Sequence, residues 1–262
     1  MSSSTGNTIG PVEALELVPP EILRFLIANT KPSKAIDFDT GMGLVNLADE
    51  FERWSTRDIA AELNDETLSR RQRVQLEDVQ TALQLARVSE AGEVQAASVS
   101  FRHLALLAQV KKSNEDVWLS LSTSHQISEP NDQLQDRLQR MRTWIASSHF
   151  PDEMKIEILQ RPNNASIHAL TGEQQRVVKA LPARLEEVEW TADGITNAFK
   201  AAGATAEVGM RDVYRACYAV FMGTERGPRL ASILANCSRN DMLVLVESCA
   251  AIAEDSPSES HE

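Results

Sequence analysis

Residues 11–54 read PVEALELVPPEILRFLIANTKPSKAIDFDTGMGLVNLADEFERW, and the spacing within this stretch decides the fold class. Pro11 and Pro20 each stand where the first turn of a helix tolerates a missing N–H. Behind Pro20, the residues Ile22, Leu23, Phe25, Leu26 and Ile27 supply a broad apolar face, which predicts a helix ending near Asn29. Asp37 to Gly43 reads as a turn, after which Leu44, Leu47, Ala48 and Phe51 recur at helical spacing. The rest of the chain agrees, since Ala, Leu, Glu, Gln and Arg dominate while aromatic residues are scarce. The expected fold class is all-α.

Working outward, residues 64–90 predict a long helix whose early part carries the basic run RRQR at 70–73. The segment SVSFRHLALLAQV at 98–110 predicts a compact apolar helix. Leu134, Leu138, Met141 and Ile145 lie at positions i, i+4, i+7 and i+11 of another. Pro151 is expected to open a further helix. Arg161-Pro162-Asn163-Asn164 interrupts the periodicity and marks the best linker. Beyond it, Thr171 with Glu173 and Gln174, then Thr191, signal two helix starts. A helix from about Met210 places Val213, Tyr214, Cys217 and Phe221 on one face, with Gly223 positioned to end it. Ser238 with Asp241 reads as a capping pair, and the tail from Glu254, EDSPSESHE, is expected to be disordered. The domain expectation is a loop over 1–10, a helical domain over 11–162, a second helical subdomain over 163–253 and an acidic tail over 254–262.

The chain of 262 residues carries a formal net charge of −12, which argues against broad electrostatic binding of nucleic acid and confines any RNA site to a local basic face. Cys217, Cys237 and Cys249 have neither metal-site spacing nor the density of a disulfide framework, so free buried thiols in a reducing compartment are expected. His125, His149 and His168 are not spaced as ligands, and no metal site is expected. No apolar run reaches the roughly 18 residues of a membrane span, and the start lacks a secretory pattern. The expected location is cytoplasmic.

Arg137, Arg140 and Trp144 share a stripe beside the apolar face of the 134–145 segment. Arginine there can hold phosphates while the indole stacks on an unpaired base. The alternative is a core Trp144 with the arginines paired to Asp132 or Asp136.

Several segments resemble, in order, the class I lysyl-tRNA synthetases. Met1-Ser2-Ser3-Ser4-Thr5 followed by Gly6-Asn7 resembles the KMSKS-type signature loop, with Ser3 and Thr5 standing where a lysine is usual. Pro19-Pro20, Ile36-Asp37-Phe38-Asp39 and Gly41 to Arg53 follow as they do in that family. Residues 98–110 resemble its FRHLA element, residues 144–160 resemble a further stretch, and FMGTERGPRL at 221–230 resembles a segment near its terminus. The resemblance implies a helical connecting domain followed by an α-helical anticodon-binding domain. It also implies that residue 1 lies inside the signature loop, with the ATP-binding Rossmann half outside this chain.

The implied function is the C-terminal part of a lysine-tRNA ligase, which binds tRNA-Lys for ATP-dependent lysylation and is inactive alone. ATP and L-lysine would act through the other half. Two alternatives stand beside it: a freestanding non-catalytic helical tRNA-binding or scaffolding module, and the anticodon-binding region of a glutamyl-tRNA synthetase. Met1, Ser2, Ser3, Ser4 and Thr5 are the only candidates for catalysis, with Ser2 and Ser4 as ATP contacts. The tRNA-binding candidates are Arg102, His103, Arg137, Arg140, Trp144 and Arg229. Arg229 is expected in the first turn of a helix opened by Pro228, where backbone N–H groups favour an anion.

Overall fold

The computed structural model describes residues 10–36, 38–88 and 98–255. Among these residues the chain is all-α, with no strand. It divides into two compact units, residues 1–155 and 156–262.

The first unit contains α1 (Pro11–Leu17), α2 (Pro20–Asn29), α3 (Met42–Ser55), α4 (Ile59–Leu63), α5 (Arg70–Ala86), α6 (Phe101–Val110), α7 (Asn114–His125) and α8 (Asp132–Ala146). The two prolines open α1 and α2 as their fixed φ angles favour, and α2 ends at Asn29. Asp39 starts α3 by accepting the N–H groups of Gly41 and Gly43, each at 2.8 Å. These bonds satisfy donors that a helix start otherwise leaves open. The long helix expected over 64–90 is confined to α5, because Ser69 and Gln72 form a reciprocal capping box that fixes its first turn. Two apolar clusters fill this unit. One joins Ile22, Leu44, Phe101, Leu104, Leu134 and Trp144; the other is built around Phe25, Trp54, Leu76 and Val79.

After α8 the expected helix at Pro151 is a single 3-10 turn, Asp152–Met154, followed by extended chain. Leu159 then donates its N–H to the Phe221 carbonyl at 2.9 Å, and Ile158 and Leu159 pack on the core of the second unit. The division therefore falls before these residues rather than at the Pro-Asn run of 161–164.

The second unit contains α9 (Asn164–His168), α10 (Gly172–Glu186), α11 (Ala192–Ala206), α12 (Met210–Met222), α13 (Leu230–Leu234) and α14 (Arg239–Asp255). Thr171 and Thr191 cap α10 and α11 through their hydroxyls, as the sequence pattern anticipates. Helix α10 packs against α11, α12 and α14 around Val177, Leu181, Phe199, Val220 and Leu245. Helix α14 continues to Asp255, so Glu254 and Asp255 are helical rather than part of a disordered tail; residues 256–262 lie outside the described residues. Cys217 and Cys249 are buried free thiols, and Cys237 is half-buried. Burial pushes the Cys217 thiol far up and the Cys249 thiol up to about 11, which keeps both protonated and unreactive.

Candidate nucleic-acid interface

Helix α12 carries the most distinctive polar face of the second unit. Arg211, Tyr214, Arg215 and Tyr218 fall at i, i+3, i+4 and i+7, one stripe of an α-helix, while Val213, Cys217, Val220 and Phe221 face the core. The two tyrosine rings lie 6.3 Å apart between centroids and are tilted by 36°. Tyr214 is braced from below by the edge of Phe199, with centroids 5.9 Å apart. Tyr218 is braced at its tip, where the hydroxyl reaches the carbonyls of Gly227 at 3.0 Å and Pro228 at 2.7 Å.

That clasp shapes the turn after α12. Gly223 ends the helix with φ +66°, the left-handed conformation that glycine adopts without a Cβ penalty. Gly227 passes so close to the Tyr218 ring that a Cβ would sit 3.1 Å from Cε1. The turn then delivers Arg226 and Arg229 to either side of the aromatic pair. Burial holds the Tyr218 hydroxyl above its ordinary value, opposed by a hydrogen bond from the Leu230 N–H, so the hydroxyl stays a neutral donor.

Tyr214 and Tyr218 stand between two recesses that share no other residue. One, of about 520 Å³, is lined by Arg211, Arg215, Arg226 and Glu225. The other, of about 530 Å³, is bounded by Asp193 and Thr196 of α11, by Arg229, and by Ser232 of α13. Trp190 holds the walls of this second recess together, since its indole N–H bonds the carbonyls of Leu234 and Cys237. Stacking faces flanked by arginines are what unpaired nucleotides require: a π surface for the base and cations for the phosphate.

The residues singled out from sequence fare differently. Trp144 and Arg137 lie in the core of the first unit, 0% and 2% exposed, which corrects their expected place as tRNA contacts and matches the alternative of a core Trp144. The Trp144 ring packs between Phe101 and Phe150, and its indole N–H donates to the Thr40 carbonyl at 2.7 Å. Arg137 donates through Nε and Nη2 to Glu21 Oε1 at 3.0 and 2.7 Å, with Glu52 Oε1 4.0 Å from Nη1. Glu52 also accepts the Phe101 N–H, and burial raises its carboxyl above the ordinary value. Neither Arg137 nor Trp144 presents a surface to RNA.

Arg140 is bound to Asp136 at 2.6 Å, and Arg102 forms a forked pair with Asp49 at 2.7–3.0 Å. His103 stacks on His125, with centroids 5.1 Å apart; burial first, then the charge of His125, lowers its pKa, so the ring is neutral near pH 7. Arg229 is exposed beside the aromatic pair. It is the N-cap residue of α13, which begins at Leu230 rather than at Pro228, and five residues make too short a helix for an anion site at its start. Within the basic run at 70–73, Arg73 is spent on the carbonyls of Leu63 and Asp65. Met1, Ser2, Ser3, Ser4 and Thr5 lie outside the described residues. Among the described residues no group of three His, Cys, Asp or Glu side chains is arranged to hold a metal ion.

Sequence reasoning missed the α12 stripe. Its signal lies in the spacing of Arg211, Tyr214, Arg215 and Tyr218, where Tyr214 borders both the apolar face and the polar stripe.

Comparison with known proteins gives this geometry a context. Residues 1–80 match the family described as tRNA synthetases class I (K), and residues 102–243 match the anticodon binding domain. The second match takes in both the last helices of the first unit and most of the second. Lysine–tRNA ligases are similar along nearly the whole chain. That of Thermoplasma volcanium is 27% identical over 248 residues, 95% of this chain and 46% of the relative. That of Picrophilus torridus is 28% identical over 240 residues, 91% and 44%. That of Thermococcus kodakarensis is 28% identical over 249 residues, 91% and 45%. The chain thus spans less than half the length of these curated relatives. With a match across more than half of its residues, the chain belongs to the anticodon-binding domain family, and the match preceding it is to the class I (K) tRNA synthetases.

Proposed function

We propose that this chain is the tRNA-recognising part of a lysine–tRNA ligase. In this reading it binds tRNA-Lys, while ATP and L-lysine are activated by the remainder of such an enzyme. The observation that carries it is the Arg211-Tyr214-Arg215-Tyr218 face, which lies within the anticodon-binding match and offers two aromatic rings bordered by cations. A net charge of −12 sharpens the point, because binding must come from this local basic face rather than from the surface as a whole.

Arg229 joins the face directly. Arg102 and Arg140 must leave Asp49 and Asp136 before they can hold phosphate, so they contribute less. His103 stays neutral and adds no charge. Among the described residues no helix is long and apolar enough to cross a membrane, and the reading sets the chain to work in the cytoplasm, where tRNAs are charged.

The test is binding of a tRNA-Lys transcript to the 262-residue chain, against the same tRNA with an exchanged anticodon. Tight binding to the first and weaker binding to the second are expected. Tyr214→Ala should cost about 1–3 kcal/mol of binding, a rise of roughly 5- to 150-fold in Kd. Equal affinity for both tRNAs overturns the reading. Lysine-dependent pyrophosphate exchange by the chain alone would overturn the assignment of catalysis to the remainder.

A further inference from the structure

The two recesses beside the tyrosines differ in the sign of what they offer. The Arg211 recess gathers three guanidinium groups, from Arg211, Arg215 and Arg226, against one carboxylate, Glu225. Arg215 has only a loose contact with Asp212, at 3.8 Å. The Asp193 recess combines one carboxylate, one guanidinium and two hydroxyl residues. Asp193 is exposed in the first turn of α11 and, among the described residues, makes no side-chain hydrogen bond or ion pair. Arg229 across the same recess is likewise exposed and without a partner among the described residues.

A phosphate and a base ask for opposite things here. Phosphate is an anion and an acceptor only, so it gains from three arginines and is repelled by an unpaired carboxylate. The pairing edge of every base carries at least one N–H beside an acceptor, in an order and spacing that differ from base to base. An ionised carboxylate accepts the first, and a guanidinium donates to the second.

Resting on the reading above, we infer that Asp193 is a specificity-determining residue. It accepts an N–H from a single unpaired base that stacks on Tyr214 and Tyr218, and it turns phosphate away from that recess. Arg229 donates to the acceptor beside that N–H. The backbone of the same strand is held in the Arg211 recess on the other side of the rings. The RNA strand therefore crosses the aromatic pair, with its base read on one side and its charge neutralised on the other.

Two signatures separate these roles, measured with the full chain and isolated anticodon stem-loops of tRNA-Lys. The stem-loops carry each of the four bases in turn at each anticodon position. Wild type should discriminate by roughly ten-fold at one position, and Asp193→Ala should remove that discrimination there and nowhere else. Its salt dependence should be unchanged. Arg211→Ala and Arg226→Ala should weaken all stem-loops alike, and each should reduce the slope of log K against log salt by about 0.7. Asp193→Glu, which keeps the carboxylate, should restore part of the discrimination, whereas a helix-start role alone would leave base preference untouched in every variant. If Tyr214→Ala and Tyr218→Ala leave binding unchanged, the face itself is misread. If they weaken binding while Asp193→Ala keeps full discrimination, this inference fails on its own.

Discussion

Replacing Arg137 with methionine removes the one partner that the Glu21 carboxylate has among the described residues. The Glu21 side chain is 4% exposed, and its Oε2 is buried without a hydrogen bond. Breaking such a pair from one side costs about 3–5 kcal/mol, because a charge is left uncompensated in a low-dielectric interior. Replacing both partners, Arg137→Met with Glu21→Leu, removes that charge and should return the first unit to within about 1–2 kcal/mol of wild type, or beyond it. Glu52 keeps the Phe101 N–H, and losing the nearby Arg137 charge pushes its carboxyl, already raised by burial, further in the same direction. Urea unfolding followed by tryptophan fluorescence is the suitable assay, as Trp54, Trp118 and Trp144 lie in the first unit and only Trp190 in the second. A loss of about 3 kcal/mol moves the midpoint by roughly 1–3 M. The two single changes should be strongly non-additive, with tRNA affinity of the folded protein unchanged. Single-variant losses below about 1 kcal/mol that simply add, or a selective loss of RNA binding, would refute the placement of Arg137 as an internal strut.

Stability should also respond to acid through His103. Its folded-state pKa lies below the ordinary 6.5, so the unfolded chain takes up the proton first and stability falls as the pH drops from about 7 towards the folded-state value. His103→Asn should flatten that decline, and an imidazole titration midpoint at or above 6.5 would contradict it. Gly223→Ala should lower the thermal midpoint by an amount equivalent to about 1 kcal/mol, because φ is +66° there; an unchanged midpoint would remove the argument from backbone strain. A thiol reagent should modify Cys237 first in the native protein and reach Cys217 only on unfolding, while rapid labelling of Cys217 would show its burial to be wrong.

What could be read from sequence follows the range of the interactions concerned. Thr171, Thr191, Ser69 and Gly223 act on backbone within a few residues of themselves, and their patterns mark helix ends reliably. Arg137 and Trp144 are another matter. Both fall within the stripe defined by Leu134, Leu138 and Met141, so spacing alone was compatible with burial; the partners that make burial tolerable, Glu21 and Thr40, are over a hundred residues away in the chain. The candidate interface was half visible. Arg229 was found through a motif, whereas Tyr214 and Tyr218 are amphipathic: one edge packs on Phe199 or the Gly227 turn, and the other is left to solvent. A binary division into apolar and polar residues has no place for a side chain that does both.

The extended run at 156–160 bears on how the second unit can be handled experimentally. A fragment begun at the Pro-Asn run would discard Ile158 and Leu159, expose the apolar surface they shield and leave the Phe221 carbonyl, at the foot of the tyrosine-bearing helix, without its donor. The penalty would fall on the helix that carries the binding face, and a weak RNA titration with that fragment would then report a trimming error rather than the chemistry of the site.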